Sequence, residues 1–316
     1  MEDQSALDAK AQHCAVVVCT YNGSQFLQAQ LDSIAAQSLP PDTILISDDG
    51  STDQTREVAK AWAANWTGGK AIICDGPQKG FAANFLSALS GITSTTQYVA
   101  LSDQDDIWFP DKLARAVKAL GAAPSRPALY GSATLECDFD LKPNRISRRA
   151  TVDLTFNHAI GQNFAGGNTM LLNAAALKLV QAANDRGIEV PVHDWWLYQL
   201  VSGAGGNVLF DPEPSLYYRQ HGANQIGSAA GMMAMSKRLR RMARGDYRGW
   251  NTANLHALDV CKDMLTASHA DTLNQVIRGR DAGLRNRLSL LRDPGLYRQG
   301  LVGQMGLALA LALRRY

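Results

Sequence analysis

The sequence lacks the long apolar runs and the closely paired cysteines that mark membrane-spanning and disulfide-stabilised proteins. No window in its 316 residues reaches the roughly 18 apolar residues expected of a transmembrane helix. The five cysteines are scattered, with no pair at the spacing of a zinc site or a redox dithiol. The chain does not start with a basic stretch followed by an apolar one, so we expect no secretory signal. We therefore predict a cytoplasmic protein with reduced thiols.

Charge is unevenly distributed along the chain, although the net charge is only +2. Residues 1–231 contain 16 Lys and Arg against 23 Asp and Glu, whereas residues 232–316 contain 15 against 6. The basic segment 232–248 also places methionine and leucine on one side of a potential helix. This pattern is typical of an interfacial helix on anionic lipid, but packing against the rest of the protein explains it equally well. Nucleic-acid binding is not expected, because stacking aromatics are not interleaved with the basic residues.

Short apolar runs alternate with helical periodicity in the first third of the chain. Such alternation predicts a parallel sheet covered by helices, in which ligands bind beyond the carboxyl ends of the strands. Further strands are predicted at 168–172, 208–210 and 216–219, and a helix from His193. The first four predicted strands lie at 15–19, 44–46, 71–74 and 98–101.

Three carboxylates, Asp103, Asp105 and Asp106, follow the fourth predicted strand within four residues. Carboxylates at this spacing repel one another unless a cation neutralises them. Oxygen ligands suit Mg²⁺ or Mn²⁺ held together with a phosphate. An acidic turn before the helix near Pro110 would explain the same residues, so the sequence alone leaves both interpretations open.

Polar side chains also follow the first two strands, in Thr20-Tyr21-Asn22 and in Asp48-Asp49. Because the carboxyl ends of parallel strands meet at one edge of a sheet, these segments should converge with the acidic residues on one crevice. Purely structural roles would explain two of these residues equally well, because asparagine is common in turns and aspartate is common at helix caps. Asn22 would then belong to a turn and Asp48 would cap a helix.

The order of these segments resembles that of the family 2 glycosyltransferases of GT-A fold. The resemblance is carried by residues 18–22, 47–53 and 103–106 and covers about 13–227. Residues 102–113 and 218–224 are most similar to the bacterial rhamnosyltransferase branch. The Gln-x-x-Arg-Trp motif of the processive synthases is absent. We therefore do not expect polymerisation coupled to export.

The resemblance implies inverting transfer of a sugar from a nucleoside diphosphate donor, with a divalent metal (Mg²⁺ or Mn²⁺) and no covalent enzyme intermediate. It implies Asp103, Asp105 and His221 as metal ligands, with Asp106 as an alternative to Asp103. Neutral imidazole is a suitable donor, although a histidine in the core or on the surface is equally compatible with the sequence.

The resemblance also implies that Asp194 is the general base, although His193 stands where the family carries an acidic residue. Trp195 and Trp196 would form a stacking wall on the acceptor side. An N-cap followed by core aromatics is the alternative for this segment. The residues implied in nucleotide binding are Thr20, Tyr21, Asn22, Asp48, Asp49, Lys79, Gly80 and Gln104.

The predicted architecture is an α/β GT-A fold with a mixed, mostly parallel sheet flanked by helices. Residues 1–12 would be a lead-in, 13–230 the catalytic domain and 231–316 a basic helical C-terminal region. The expected donor is dTDP-L-rhamnose and the expected acceptor is a bacterial surface glycan of the cell envelope. The alternatives are a UDP-hexose transferase and a non-catalytic nucleotide-sugar-binding protein. A lipid carrier on the acceptor, peripheral contact with the plasma membrane and the oligomeric state are left open.

Overall fold

Nine strands in the described part of the chain form one mixed sheet. The computed structural model describes residues 13–93, 95–121, 125–220 and 246–316. The strands are β1 (Cys14–Thr20), β2 (Thr43–Asp48), β3 (Lys70–Asp75), β4 (Tyr98–Ser102), β5 (Ile107–Trp108), β6 (Ala128–Cys137), β7 (Pro143–Ile146), β8 (Leu171–Asn173) and β9 (Asn207–Arg219).

Helices follow most of these strands and continue to the end of the described chain. Short 3₁₀ turns lie at Gly167–Thr169 and Lys262–Met264. The α-helices are α1 (Ser24–Ala35), α2 (Thr55–Asn65), α3 (Phe81–Ser90), α4 (Lys112–Leu120), α5 (Phe156–Gly161), α6 (Ala174–Asn184), α7 (His193–Gly203), α8 (Asp246–Val260), α9 (Ala267–Arg280), α10 (Leu284–Ser289) and α11 (Gly300–Ala312).

The sheet order is β3-β2-β1-β4-β8-β6-β9-β5, with β7 paired to β6. The first four strands in this order are parallel, and Val16 of β1 pairs with Ile44 of β2 and Ala100 of β4. Strand β8 is antiparallel to both of its neighbours, β4 and β6. The mixed α/β sheet flanked by helices is therefore confirmed.

Strand β1 is buried along its whole length because helices cover both faces of the sheet. Its side chains alternate between two hydrophobic clusters, with Val17 in one and Val16 and Val18 in the other. This alternation follows from the two-residue repeat of a strand. It explains why the predicted strands read as continuous apolar runs rather than as alternating patterns.

Three predicted strands differ in the structure. The strand predicted at 168–172 is shorter, because Asn168 and Thr169 belong to the 3₁₀ turn and β8 starts at Leu171. The strands predicted at 208–210 and 216–219 are one strand, β9, which pairs in parallel with β6. Its register shifts beside the proline-containing segment 211–214, which had divided the apolar pattern.

The C-terminal helices belong to the same hydrophobic cluster as one face of the sheet. Leu258, Leu273 and Leu311 are fully buried in the cluster that contains Val17. The Tyr316 hydroxyl also donates to the carbonyl of Ile160 at 2.9 Å. None of the described helices combines the length and the apolar character needed to span a bilayer. The predicted boundary at 230/231 lies outside the described residues and stays a prediction.

We expect Leu311→Ala to lower the free energy of unfolding by about 2–5 kcal/mol, because it removes a fully buried side chain and leaves a cavity. The matched control on the same helix is Leu301→Ala, whose side chain is 84% exposed and should change stability by less than about 0.5 kcal/mol. Urea titration followed by circular dichroism measures both. Equal, small effects would show that α11 does not stabilise the sheet.

Candidate active site

The carboxyl ends of β1, β2 and β4 meet at one edge of the sheet, and side-chain hydrogen bonds join the three segments that follow. The Thr20 hydroxyl donates to Asp48 Oδ2 at 2.8 Å. The Gln104 side chain accepts from the Tyr21 N–H at 2.8 Å and donates to the Tyr21 carbonyl at 3.0 Å. The predicted convergence of these polar segments is therefore confirmed by the geometry.

Asp48 and Asp49 both hold the local backbone. Although burial opposes ionisation, hydrogen bonds from Ser51 and Thr20 lower the pKa of Asp48 below its usual value. The two oxygens of Asp49 accept from the N–H groups of Gln78 at 2.6 Å and Gly80 at 2.8 Å. Each carboxylate oxygen can accept a second hydrogen bond. A nucleotide contact by Asp49 is therefore compatible with this loop-holding role and stays a prediction.

Two of the predicted nucleotide-binding side chains lie at the surface beside this edge. The Tyr21 ring is 53% exposed. Lys79 is exposed directly before α3, and its ammonium lies 3.9 Å from a carboxylate oxygen of Glu189. Asn22 has a φ of 48°, a left-handed conformation that asparagine tolerates, and its side-chain oxygen accepts from the Thr52 N–H at 2.8 Å. These positions leave a ring and a cation accessible to a ligand.

The acidic cluster, which consists of Asp103, Asp105 and Asp106, contains one buried and two partly exposed side chains. Asp106 Oδ2 accepts from the Asn168 side-chain amide at 2.6 Å, and no described group hydrogen-bonds to its Oδ1. Burial, together with repulsion from Asp105 and Asp103, raises the pKa of Asp106 well above its usual value. Because Asp106 faces the interior, Asp103 and Asp105 are the members placed to meet a ligand.

Lys112 is a buried cation beside the acidic cluster. Its ammonium donates to the Asn168 carbonyl and lies 4.1 Å from the centre of the Trp108 ring. Burial lowers the pKa of Lys112 to about 7, against the opposing influence of Asp106 and Asp103. The sequence analysis did not identify Lys112 as a site residue. The sequence does contain a sign that Lys112 is buried. Its helical spacing from Ala116 and Leu120 places it on the apolar face of α4.

Asp194 lies in the first turn of α7 and acts electrostatically on Asp103 of the acidic cluster. Its carboxylate accepts from the Gly167 N–H at 3.2 Å and the Trp195 N–H at 2.6 Å. Burial raises the pKa of Asp194 to about 6 in spite of these hydrogen bonds. Burial, Asp105 and Asp194, in that order, raise the pKa of Asp103 to about 7. The structure therefore brings together Asp103, Asp105 and Asp194, which the sequence analysis singled out from distant segments.

The aromatic residues around Asp194 lie in the core. Trp195 is 7% exposed and donates its indole N–H to the Ala159 carbonyl at 2.7 Å, whereas Trp196 is fully buried. This burial contradicts the predicted stacking wall, since neither ring presents a face to an acceptor. The imidazole of His193 stacks on Phe85 at 4.0 Å, and burial lowers the pKa of His193 to about 3.

Asp103 and Asp105 fit a divalent cation in their chemistry. Both are partly exposed carboxylates, and the repulsion that raises the pKa of Asp103 is relieved by a cation with a preference for oxygen ligands. Within the described ranges, no three His, Cys, Asp or Glu side chains are grouped as a complete metal-binding set. The predicted third ligand, His221, lies outside those ranges.

The family model described as "Glycosyl transferase family 2" matches residues 15–176, just over half of the chain. The chain belongs to glycosyl transferase family 2. The matched region contains the acidic cluster and both segments that follow β1 and β2. This glycosyltransferase is also similar to the dTDP-rhamnosyl transferase RfbG of Shigella flexneri. The two are 27% identical over 250 residues, which are 76% of this chain and 84% of the relative.

Solved structures with the GT-A fold superimpose on almost the whole glycosyltransferase. TarS 1–349 of S. aureus, in complex with UDP-GlcNAc, gives a TM-score of 0.52 at 15% identity, covering 95% of this chain and 79% of that one. The mannosyltransferase PcManGT of Pyrobaculum calidifontis, in complex with GDP-Man and Mn²⁺, gives 0.50 at 17% identity, covering 96% and 85%. At these identities the comparisons show the fold alone.

Asp103→Asn should raise the thermal stability of the metal-free glycosyltransferase at about pH 8, by about 2 °C or more. The folded protein holds the Asp103 proton up to its raised pKa of about 7, whereas the unfolded chain releases it near the ordinary pKa of 3.8. Stability therefore falls as the pH rises between these values, and the neutral amide removes that loss. The gain should be largest near pH 8 and should shrink toward pH 4.

The matched control for this change is Asp271→Asn on the exposed side of α9, which should leave the midpoint unchanged at each pH. Differential scanning fluorimetry in the presence of a chelator measures both variants. A lower midpoint for Asp103→Asn would show that the carboxylate stabilises the turn, as the acidic-turn interpretation requires.

Proposed function

We propose that this glycosyltransferase transfers L-rhamnose from dTDP-rhamnose to a bacterial surface glycan, with inversion of the anomeric carbon. The observation that carries the proposal is the position of Asp194, which lies on a different element of the fold and is close enough to Asp103 to raise its pKa. Support for rhamnose comes from the similarity to the dTDP-rhamnosyl transferase RfbG, which extends over 76% of the chain.

Asp194 would act as the general base. Direct displacement with inversion needs a proton acceptor on the side of the sugar opposite the leaving diphosphate. Burial raises the pKa of Asp194 to about 6, so the carboxylate is both ionised at neutral pH and a stronger base than an exposed aspartate. The Gly167 and Trp195 N–H groups, together with the Asn163 side chain, fix the orientation of the carboxylate.

Asp103 and Asp105 would hold Mg²⁺ or Mn²⁺, with His221 as the third ligand. A bound divalent ion neutralises the charge that develops on the departing diphosphate. Asp106 is better suited to a structural role, because it is buried and hydrogen-bonded to Asn168.

The nucleotide would bind at the edge formed by β1 and β2. The exposed Tyr21 ring offers a surface for the base. Asp49 accepts a hydrogen bond from the N–H of Gly80, the residue before α3, and the exposed Lys79 precedes Gly80 in the chain. A helix N-terminus and a cation together attract phosphate. Thr20, Asn22, Asp48 and Gln104 would shape this edge through the hydrogen bonds described above.

We expect Asp194→Asn to lower kcat by about 10²- to 10⁴-fold, the usual contribution of a general base. Donor affinity should stay within a factor of about two, because the amide keeps the shape of the side chain and the proposed base contacts the acceptor. Radiolabelled sugar transfer gives kcat, and isothermal titration gives the donor Kd. Asp271→Asn is the control. Near-normal turnover of Asp194→Asn would remove Asp194 from the mechanism.

A thermal-shift panel tests the donor and the metal together. A ligand that binds the folded state at 100 times its Kd stabilises it by about 2.7 kcal/mol. We expect dTDP-rhamnose to raise the midpoint in Mn²⁺ and to have little effect in EDTA, with smaller shifts for UDP-glucose and UDP-galactose. A larger shift with a UDP-hexose would identify that UDP-hexose, rather than dTDP-rhamnose, as the preferred donor. Equal shifts in Mn²⁺ and EDTA would reject the proposed metal requirement for donor binding. No shift with any sugar nucleotide would reject the proposed function.

A further inference from the structure

Exposed apolar side chains are concentrated on the last two helices. Twelve large hydrophobic side chains are exposed among the described residues, and seven of them lie between 284 and 313. Leu301 and Val302 are each 84% exposed and Met305 is 71% exposed. Monomeric soluble proteins rarely expose large apolar side chains in such a group, so this surface needs a partner.

These side chains form a stripe along α11. Leu301, Met305 and Leu309 follow one another at four-residue spacing, which places them on one face of a helix. The opposite face carries Leu307 and Leu311, which are fully buried in the core. The helix has 13 residues and a length of about 20 Å. Leu288 of α10 joins Met305 and Leu309 in lining a shallow apolar groove between the two helices.

Exposed arginines flank the helices that carry this stripe in the sequence. Arg285 lies on α10, Arg292 follows it, and Arg314 and Arg315 follow α11; all four are exposed. The whole segment 232–316 carries 15 basic and 6 acidic residues. An apolar face with arginines along its borders matches an anionic lipid surface, where the apolar side chains enter the acyl boundary and the guanidinium groups meet phosphates.

A second copy of the chain is a poorer partner for the same face. A twofold interface would place the surface of one α11 against the same surface of the other. The exposed arginines of the two copies would then be brought together, with Asp293 of each copy as the only acidic side chain in the segment 284–316 to offset them. An anionic membrane neutralises them instead.

We propose that α10 and α11 form a peripheral docking surface for anionic lipid, with Leu301, Val302, Met305 and Leu309 inserted below the headgroups. Docking of this kind does not depend on the sugar donor or on the metal. The same helices are fixed to the active site through α5, whose Gly161 carbonyl accepts from the Arg298 side chain at 2.6 Å. The neighbouring Ala159 carbonyl accepts from the indole of Trp195 on α7, next to Asp194.

Flotation of the full-length protein with vesicles tests the surface. We expect binding to vesicles of phosphatidylcholine and phosphatidylglycerol, weaker binding to phosphatidylcholine alone, and loss of the difference at high salt. The double variant Leu301→Gln/Val302→Gln should lower the partition coefficient at least about tenfold, because two inserted apolar side chains are replaced. Both side chains are 84% exposed, so the change should leave the fold intact.

Matched variants separate the apolar and cationic contributions. Arg314→Gln/Arg315→Gln should weaken binding to the anionic vesicles and leave binding to phosphatidylcholine unchanged. Val260→Gln at the end of α8 replaces another exposed apolar side chain, 38% exposed, outside the stripe. This control should bind as the wild type does.

Three results would overturn the proposal. The first is no binding of the wild type to anionic vesicles. The second is normal binding of Leu301→Gln/Val302→Gln when Lys237→Gln/Arg238→Gln abolishes it, which would assign the contact to the segment 232–248. The third is a dimer in the absence of lipid that Leu301→Gln/Val302→Gln dissociates. Because vesicle binding is measured without donor, its failure rejects the docking surface alone, whereas absent donor stabilisation rejects the proposed function alone.

Discussion

Repulsion among carboxylates at the carboxyl end of β4 is the constraint around which the site is arranged. Asp103 and Asp194 come from distant parts of the chain. Burial together with repulsion from Asp105 and Asp194 raises the pKa of Asp103 to about 7, and burial raises the pKa of Asp194 to about 6. The buried ammonium of Lys112 offsets this repulsion only in part, because burial lowers its own pKa to about 7. An arrangement of this kind lowers stability, and proteins retain such arrangements chiefly where the charge serves function.

The turn before β8 connects the two sides of this crevice. The Asn168 side chain donates to Asp106, and the Asn168 carbonyl accepts from Lys112. The N–H of Gly167, one residue earlier, donates to Asp194. A Cβ atom at Gly167 would lie only 2.3 Å from Nε2 of His193, so the close approach of the turn to α7 requires glycine. Because β8 is antiparallel to β4, this turn lies at the same edge as the end of β4.

The parts of the fold that were predictable are those in which local sequence and tertiary position agree. Buried parallel strands such as β1 are continuous apolar runs, and polar residues follow them where the chain enters the crevice. Trp195 and Trp196 could not be placed in the same way, because α7 is buried on nearly every side and has no polar face to orient it. Lys112 and Asn168 meet across 56 residues, and no local pattern reports a contact of that range.

The C-terminal helices are part of the core, so their exposed face has a fixed position relative to the rest of the protein. Leu258 and Leu311 are buried together with residues of the sheet, so α11 has one position relative to the crevice. A flexible basic tail would hold the protein near a membrane without orienting it. A packed helix whose exposed apolar stripe docks on lipid, as proposed, would instead fix the direction in which Asp194 faces relative to the membrane. Under the proposed docking and the proposed role of Asp194 as base, that direction would limit which hydroxyls of a lipid-attached acceptor reach the carboxylate.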